Sequence, residues 1–220
     1  MSTRPPRLRS PRAWKLGDGT LTLRDGTALV FQPVGPADRG AVARLVERLS
    51  DESRSRRFHR AMERLSDEEL AYLTELDHHD HEAILAAEPG TGEAVGVARY
   101  VRFLEDPELA EASIVVLDAW QGRGVGTALL GELTRLARRA GVRRFSALAR
   151  TENRRAIELF ERVGPVLTRE RGAGTVEFQV ALPEEEFPGS DLAAALVGAV
   201  SSYWTLLLDA MIAPLRSPGR

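Results

Sequence analysis

The 220-residue chain contains no cysteine. That removes disulfides, thiolate metal ligands and cysteine nucleophiles from consideration, and it suits a reducing, cytoplasmic setting. Lysine is almost as scarce: Lys15 is the only one, and arginine carries the remaining positive charge. With 30 Lys and Arg against 32 Asp and Glu, the formal net charge is -2, so no basic excess points to nucleic acid. The start, MSTRPPRLRSPR, is basic and proline-rich without the apolar stretch of a signal peptide. Residues 1–18 are therefore expected to form a disordered tail. Long apolar runs are missing except at LAAALVGAVSSYWTLLL, residues 192–208. Seventeen uncharged residues are short for a membrane span. Leu192, Leu196, Val200, Tyr203, Leu207 and Met211 recur at helical spacing, which predicts a helix over 190–214. Such a helix is expected to pack on the core or on a second copy in a homodimer rather than to anchor in a membrane.

Between these ends, residues 19–185 read as one mixed α/β domain. Asp25-Gly26 lies between two alternating runs in 19–34, the signature of a hairpin. Pro36 marks a helix start, with Val42, Leu45, Val46 and Leu49 on one face. A short helix is expected over 51–60, and Ser66 and Glu69 stand in capping-box spacing before another over 66–76. Strands are expected over 81–88, 93–103, 111–117, 142–149 and 174–182, with helices over 125–140 and 152–164. This order fits a curved mixed sheet with helices on both faces.

One stretch carries a specific signal. In DAWQGRGVGTALL (118–130), Gly122, Gly124 and Gly126 fall within five positions between an apolar strand and an amphipathic helix. A Walker loop needs a lysine that is not here. A dinucleotide fingerprint needs Gly-x-Gly-x-x-Gly after the first strand of a βαβ unit, whereas the spacing here is Gly-x-Gly-x-Gly after antiparallel strands. Backbone N–H groups at the head of the helix suit a pyrophosphate, glycine permits its close approach, and Arg123 adds charge.

With these residues in view, the chain resembles the GNAT superfamily of acyl-CoA-dependent N-acyltransferases over roughly residues 20 to 182. Gln121 to Gly126 match that superfamily's Gln/Arg-x-x-Gly-x-Gly/Ala loop, and TENRRAIELFERVG (151–164) resembles its later Asn-x-x-Ala helix. The resemblance implies a GNAT-like fold and acetyl-CoA as co-substrate. It implies that Gln121, Gly122, Arg123, Gly124, Val125, Gly126 and Thr127 hold the pyrophosphate. It also implies that Asn153 contacts the pantetheine or phosphate region and that Phe160 lies beside the sulfur. A narrower likeness, in residues 21–59 and in LAEASIVVLDAWQGRGVGTALL, is to Pat-type bacterial protein lysine acetyltransferases. There an acidic residue early in the strand before the loop is the proposed general base, and Glu111 is the matching position.

Acetyl transfer to an amine needs a base, because a lysine amine has a pKa of about 10.4. Glu111 is the candidate, with Glu105, Asp106 and Glu108 close upstream. It also needs a donor for the thioester oxygen, and by position that is the N–H of Val116. Many superfamily members place a tyrosine where Phe160 stands, so a general acid is not evident; Tyr72 and Tyr100 read as packing residues. The acceptor is expected to be a protein lysine. A small amine and a non-catalytic acyl-CoA-binding module remain the alternatives. Asp77 to Glu82, DHHDHE, has metal-ligand residue types but reads as a polar loop, and no metal is expected. Arg54, Arg56, Arg57 and Arg60 form either a solvated face or a basic rim for substrate or for the 3′-phosphate of coenzyme A.

Overall fold

The computed structural model describes residues 20–23, 25–50, 64–172 and 174–183. The expectations for the N-terminal tail, for the helix and arginines in 51–60, and for the helix over 190–214 lie outside these residues.

Among the described residues, eight strands form one sheet in the order β1-β2-β3-β4-β5-β6-β8-β7. The hairpin pairs β1 (Thr20–Thr22) with β2 (Ala28–Pro33), turning at Gly26 with φ 83°. A 3-10 turn at Pro36–Asp38 leads into α1 (Arg39–Glu47). Val42, Leu45, Val46 and Leu49 are all buried, as their helical spacing predicts. Helix α2 (Asp67–Thr74) opens on the expected capping box: Glu69 N–H donates to Ser66 Oγ at 3.2 Å, and Ser66 N–H donates to Glu69 Oε2 at 2.7 Å.

The meander β3 (His81–Ala87), β4 (Ala94–Arg102) and β5 (Leu109–Val116) is antiparallel and almost wholly buried. Such strands read as near-continuous apolar runs because both faces are covered. Beyond β5 come a 3-10 turn at Asp118–Trp120, the glycine loop and α3 (Val125–Arg139). Strand β6 (Arg144–Arg150), α4 (Arg154–Glu161), β7 (Val166–Gly172) and β8 (Thr175–Ala181) complete the fold.

Strand β7 is an element that the sequence pattern does not announce. Every residue of VLTRERG is exposed, so no buried face imposes an alternation. The strand exists through its backbone ladder to β8 at the sheet edge.

Two layers of helix cover the sheet. Leu129 of α3 lies against Gly96 of β4, and Phe160 of α4 packs edge-on to Phe178 of β8 at 5.9 Å. On the other face, Arg99 Nη2 of β4 donates to the Leu73 carbonyl of α2 at 2.9 Å, and Tyr72 rests on His81 with ring centroids 5.0 Å apart. Alternation along β5 therefore aims Ala112, Ile114 and Val116 toward α3, and Glu111, Ser113 and Val115 toward α2.

Gly164 closes the turn from α4 to β7, where an added Cβ would sit 2.1 Å from the Ala181 carbonyl oxygen. Backbone cannot yield as a flexible side chain does. Gly164→Ala is expected to lower the unfolding free energy by about 1–3 kcal/mol. Denaturant titration checks this, and an unchanged midpoint would contradict it.

Candidate active site

Among the described residues, strands β5 and β6 form the one parallel pair in the sheet. Their pairing covers Leu109–Arg144, Ala110–Phe145 and Glu111–Ser146, and then stops. Strand β5 continues to Val116 and β6 to Arg150 with no ladder between them. The carboxyl ends of both strands thus border an opening, the usual place for a ligand beside parallel strands.

The backbone on the β5 side of this opening follows from register. Leu117 N–H donates to the Val95 carbonyl, beyond the end of the β4 ladder, at 2.9 Å. By the two-residue alternation, the N–H groups of Val116 and Ile114 face the other way, into the opening. The Val116 carbonyl accepts from Gln121 Nε2 at 3.2 Å, which ties the loop to the strand end. Gly96 lies across from Val116, and a Cβ there would come within 2.9 Å of the Val115 carbonyl oxygen.

At the mouth, Gly122 and Gly124 adopt φ 76° and 92°, values that L side chains rarely take. A Cβ at either would meet nothing within 4 Å, so the loop's outer side is open space. Gly124 is the N-cap of α3 and supplies no side-chain cap, and the first turn carries no acidic residue. The first N–H groups of a 15-residue helix, those of Val125, Gly126 and Thr127, are therefore available to an anion. The side chains of Val125 and Thr127 are buried, so only their backbone can serve.

Arg123 is differently engaged. Its Nη2 lies 2.7 Å from Asp25 Oδ2 and 2.7 Å from Thr27 Oγ1, with the guanidinium carbon 4.2 Å from the Trp120 ring centroid. Hydrogen bonds from Thr27, with Arg123 adding to them, hold the Asp25 carboxyl down at about 2. The loop's arginine thus pins the hairpin to the loop. Asn153 and Phe160 stand beyond the end of β6 and on α4. Asn153 Oδ1 accepts the Ala156 N–H at 3.1 Å and caps that helix, and Phe160 is buried against Phe178.

A model of the acetyltransferase (GNAT) family matches residues 42–164. The chain belongs to the GNAT acetyltransferase family. It is 33% identical over 161 residues to acetyltransferase Pat of Mycolicibacterium smegmatis, covering 73% of this chain and 48% of that one. The chain thus spans about half the length of this relative. The GNAT domain of S. lividans PAT superposes with a TM-score of 0.66 at 31% identity, covering 74% of this chain and 96% of that one. The structure of yncA from Salmonella typhimurium with its cofactor acetyl-CoA shares the fold at 22% identity, with a TM-score of 0.58 and coverage of 73% and 97%. The GNAT family is one of acyl-CoA-dependent N-acetyltransferases.

Within this GNAT domain the upstream acids separate. Asp106 lies in the β4–β5 turn, where both its oxygens accept from Arg144 at 3.0 and 2.8 Å. Glu111 lies in the strand, at the last paired position before the opening. Burial first, and the Glu177 carboxylate second, push Glu111 up from 4.5 to about 7. Tyr72 is in reach of this group: burial raises its hydroxyl, Arg99 opposes the rise, and Glu111 adds to it. His81 is driven down to about 3 by burial and then by Arg99, so it is neutral and accepts from Arg99 Nη1 at 3.2 Å. In the turn before it, Asp77 Oδ1 accepts the N–H groups of His79, Asp80 and His81. Among the described residues, no three side chains gather as metal ligands, and no helix is long and apolar enough to cross a membrane.

Sequence reading did not single out Ile114 or Glu177. Ile114 presents its N–H to the opening, and side-chain identity is no guide to that. Glu177 belongs to a strand far along the chain, brought close only by the β6–β8 ladder.

The raised Glu111 value has a consequence for stability. Below about pH 4.5 the group is protonated whether the chain is folded or not. Between 4.5 and 7 the folded protein keeps a proton that the unfolded chain has lost, so stability falls as pH rises through this window. The full penalty above it is about 3 kcal/mol, at ~1.4 kcal/mol for each pH unit. Glu111→Gln is expected to gain stability over the parent progressively across that window. A difference that stays constant with pH, measured by denaturant titration, would contradict this.

Proposed function

We propose that this domain transfers an acetyl group from acetyl-CoA to a primary amine, and that the acceptor is a protein lysine side chain. The observation that carries the reading is a carboxylate poised near neutrality at the root of the β5–β6 opening, with an uncapped helix at its mouth. The N–H groups of Val125, Gly126 and Thr127, with Gly122 and Gly124 allowing close approach, would hold the pyrophosphate. Gln121 would hold the loop in place. Asn153, at the head of α4, and Phe160, within it, would border the bound cofactor. The thioester is the activated acyl group that coenzyme A supplies.

Glu111 takes a proton from the incoming ammonium and leaves a neutral amine. An N–H aimed into the opening stabilises charge on the thioester oxygen. Val116 and Ile114 both present such a group. Ile114 stands about 10 Å along the strand from Glu111 and Val116 about 17 Å, at ~3.3 Å per residue. The nearer donor is better placed for a carbonyl that must also meet the amine at Glu111. Phe160 offers no hydroxyl, and a thiol of pKa about 8.5 is a fair leaving group without one. Support for a protein lysine comes from the resemblance to Pat-type protein lysine acetyltransferases, with acetyltransferase Pat alike over 73% of the chain.

Isotope-labelled acetyl-CoA, a soluble cell lysate and peptide mass spectrometry test the acceptor. With the parent protein, label is expected on lysine side chains. With Glu111→Gln, transfer is expected to fall about 10²- to 10⁴-fold while acetyl-CoA affinity holds. Thiol release without protein label would replace the lysine with a small amine. Undiminished transfer by Glu111→Gln would remove its role as base.

Gly124→Glu places a side chain at φ 92° and a negative charge at the helix head. Calorimetry is expected to show acetyl-CoA binding weakened at least ~100-fold, through about 1–2 kcal/mol of left-handed strain added to charge repulsion and steric block. Retained affinity would contradict the loop assignment.

A further inference from the structure

Glu111 has a partner that sequence distance conceals. Ser146 of β6 pairs with Glu111 of β5 on one side and with Gln179 of β8 on the other. Glu177 of β8 pairs with Leu148, one pleat further along β6. Residues two apart share a face, so Glu111, Ser146 and Glu177 lie on one face across three adjacent strands. Ser146 is only 3% exposed, and its hydroxyl donates to Glu177 Oε1 at 3.3 Å. Glu177 itself is exposed. A solvent-facing carboxylate, a buried hydroxyl and a largely buried carboxylate thus lie side by side at the root of the opening.

Glu170 of β7 lies across the ladder from Glu177, and Arg150 of β6 pairs with Glu152 at 3.2 Å. Arg99, His81, Tyr72 and Arg144 have engagements of their own. Arg99 of β4 donates to the Leu73 carbonyl and to His81 of β3. His81 is neutral, and burial keeps the Tyr72 hydroxyl of α2 protonated. Arg144 of β6 is held by Asp106. Glu177 is the neighbouring charge that acts on Glu111.

We propose that Glu177 is a positioning residue for the acyl transfer, acting through Glu111 rather than on the substrate. This rests on the reading of Glu111 as the base. A base works best when its proton affinity matches the working pH. An isolated carboxylate is too weak a base to draw a proton from an ammonium, and a second negative charge beside it strengthens it. In the step, the acceptor ammonium gives one proton to the Glu111 carboxylate. The freed lone pair attacks the thioester carbonyl carbon; the C–N bond forms and the C–S bond breaks. The departing thiolate takes the surplus proton from the new amide nitrogen, and Glu111 returns its own proton to solvent.

The test uses full-length parent, Glu111→Gln, Glu177→Gln and Glu177→Asp, labelled with ¹³C at glutamate side-chain carboxyls. The resonance missing from Glu111→Gln is that of Glu111, and its midpoint in the parent is expected near 7. In Glu177→Gln the midpoint is expected to fall by about 0.5–1 pH unit. The acid limb of kcat/KM should fall with it, while acetyl-CoA affinity stays level. Glu177→Asp keeps the charge and should hold the midpoint near that of the parent. An unmoved midpoint in Glu177→Gln overturns the proposal whether or not turnover changes. A moved midpoint in a protein that acetylates no amine supports the electrostatic role of Glu177 and overturns the acetyltransferase reading instead.

Discussion

Strand β5 begins with two neighbours and ends with one. Beyond Glu111 and Ser146 its ladder to β6 is gone, while its ladder to β4 continues to Val116. A buried N–H needs a partner, so the free edge of β5 is a demand for one as much as a gap. Gly96 allows Val115, Val116 and Leu129 to come close, and Gln121 answers the Val116 carbonyl. What remains open are donors along a strand edge, a template for an extended, amide-bearing chain. The pantetheine arm of coenzyme A is such a chain.

The two ends of this edge carry opposite electrostatic character. At the mouth, the head of α3 is positive through its own unpaired N–H groups, because Gly124 cannot cap them and no acid stands in the first turn. At the root, Glu111 and Glu177 are both carboxylates, and Glu177 raises the cost of ionising Glu111. On the proposed reading, a phosphate-bearing donor and a cationic acceptor would be drawn to different ends. Arg123, the obvious cation of the loop, is already paired with Asp25 and stacked on Trp120. On the proposed reading, the loop would attract phosphate through backbone geometry first.

Much of this was legible from residues alone. The glycine spacing marked the strand-to-helix loop, the Ser66 and Glu69 pair marked the start of α2, and the apolar meander marked β3 to β5. These features are local, and each leaves a pattern in adjacent residues. Strand β7 left none, because an exposed edge strand is held by backbone bonds and needs no alternation. The choice of Glu111 among four nearby acids rested on family resemblance. Structure separates them by engagement, since Asp106 is tied to Arg144 and Glu111 stands at the last rung before the opening. Glu177 and the Ile114 N–H were out of reach of pattern reading. The first depends on a strand pairing distant in sequence, and the second belongs to the backbone.

Amide hydrogen exchange resolved by residue, with and without acetyl-CoA, tests the central claim most directly. On either side of Val116, alternate amides of β5 should respond differently. Val115 and Leu117 face β4 and should exchange slowly throughout. Ile114 and Val116, with Val125 to Thr127, should exchange faster in the free protein and become protected when acetyl-CoA binds. Protection of that alternating set would place the thioester in the β5–β6 opening. Binding that leaves Ile114 and Val116 unchanged would contradict the account.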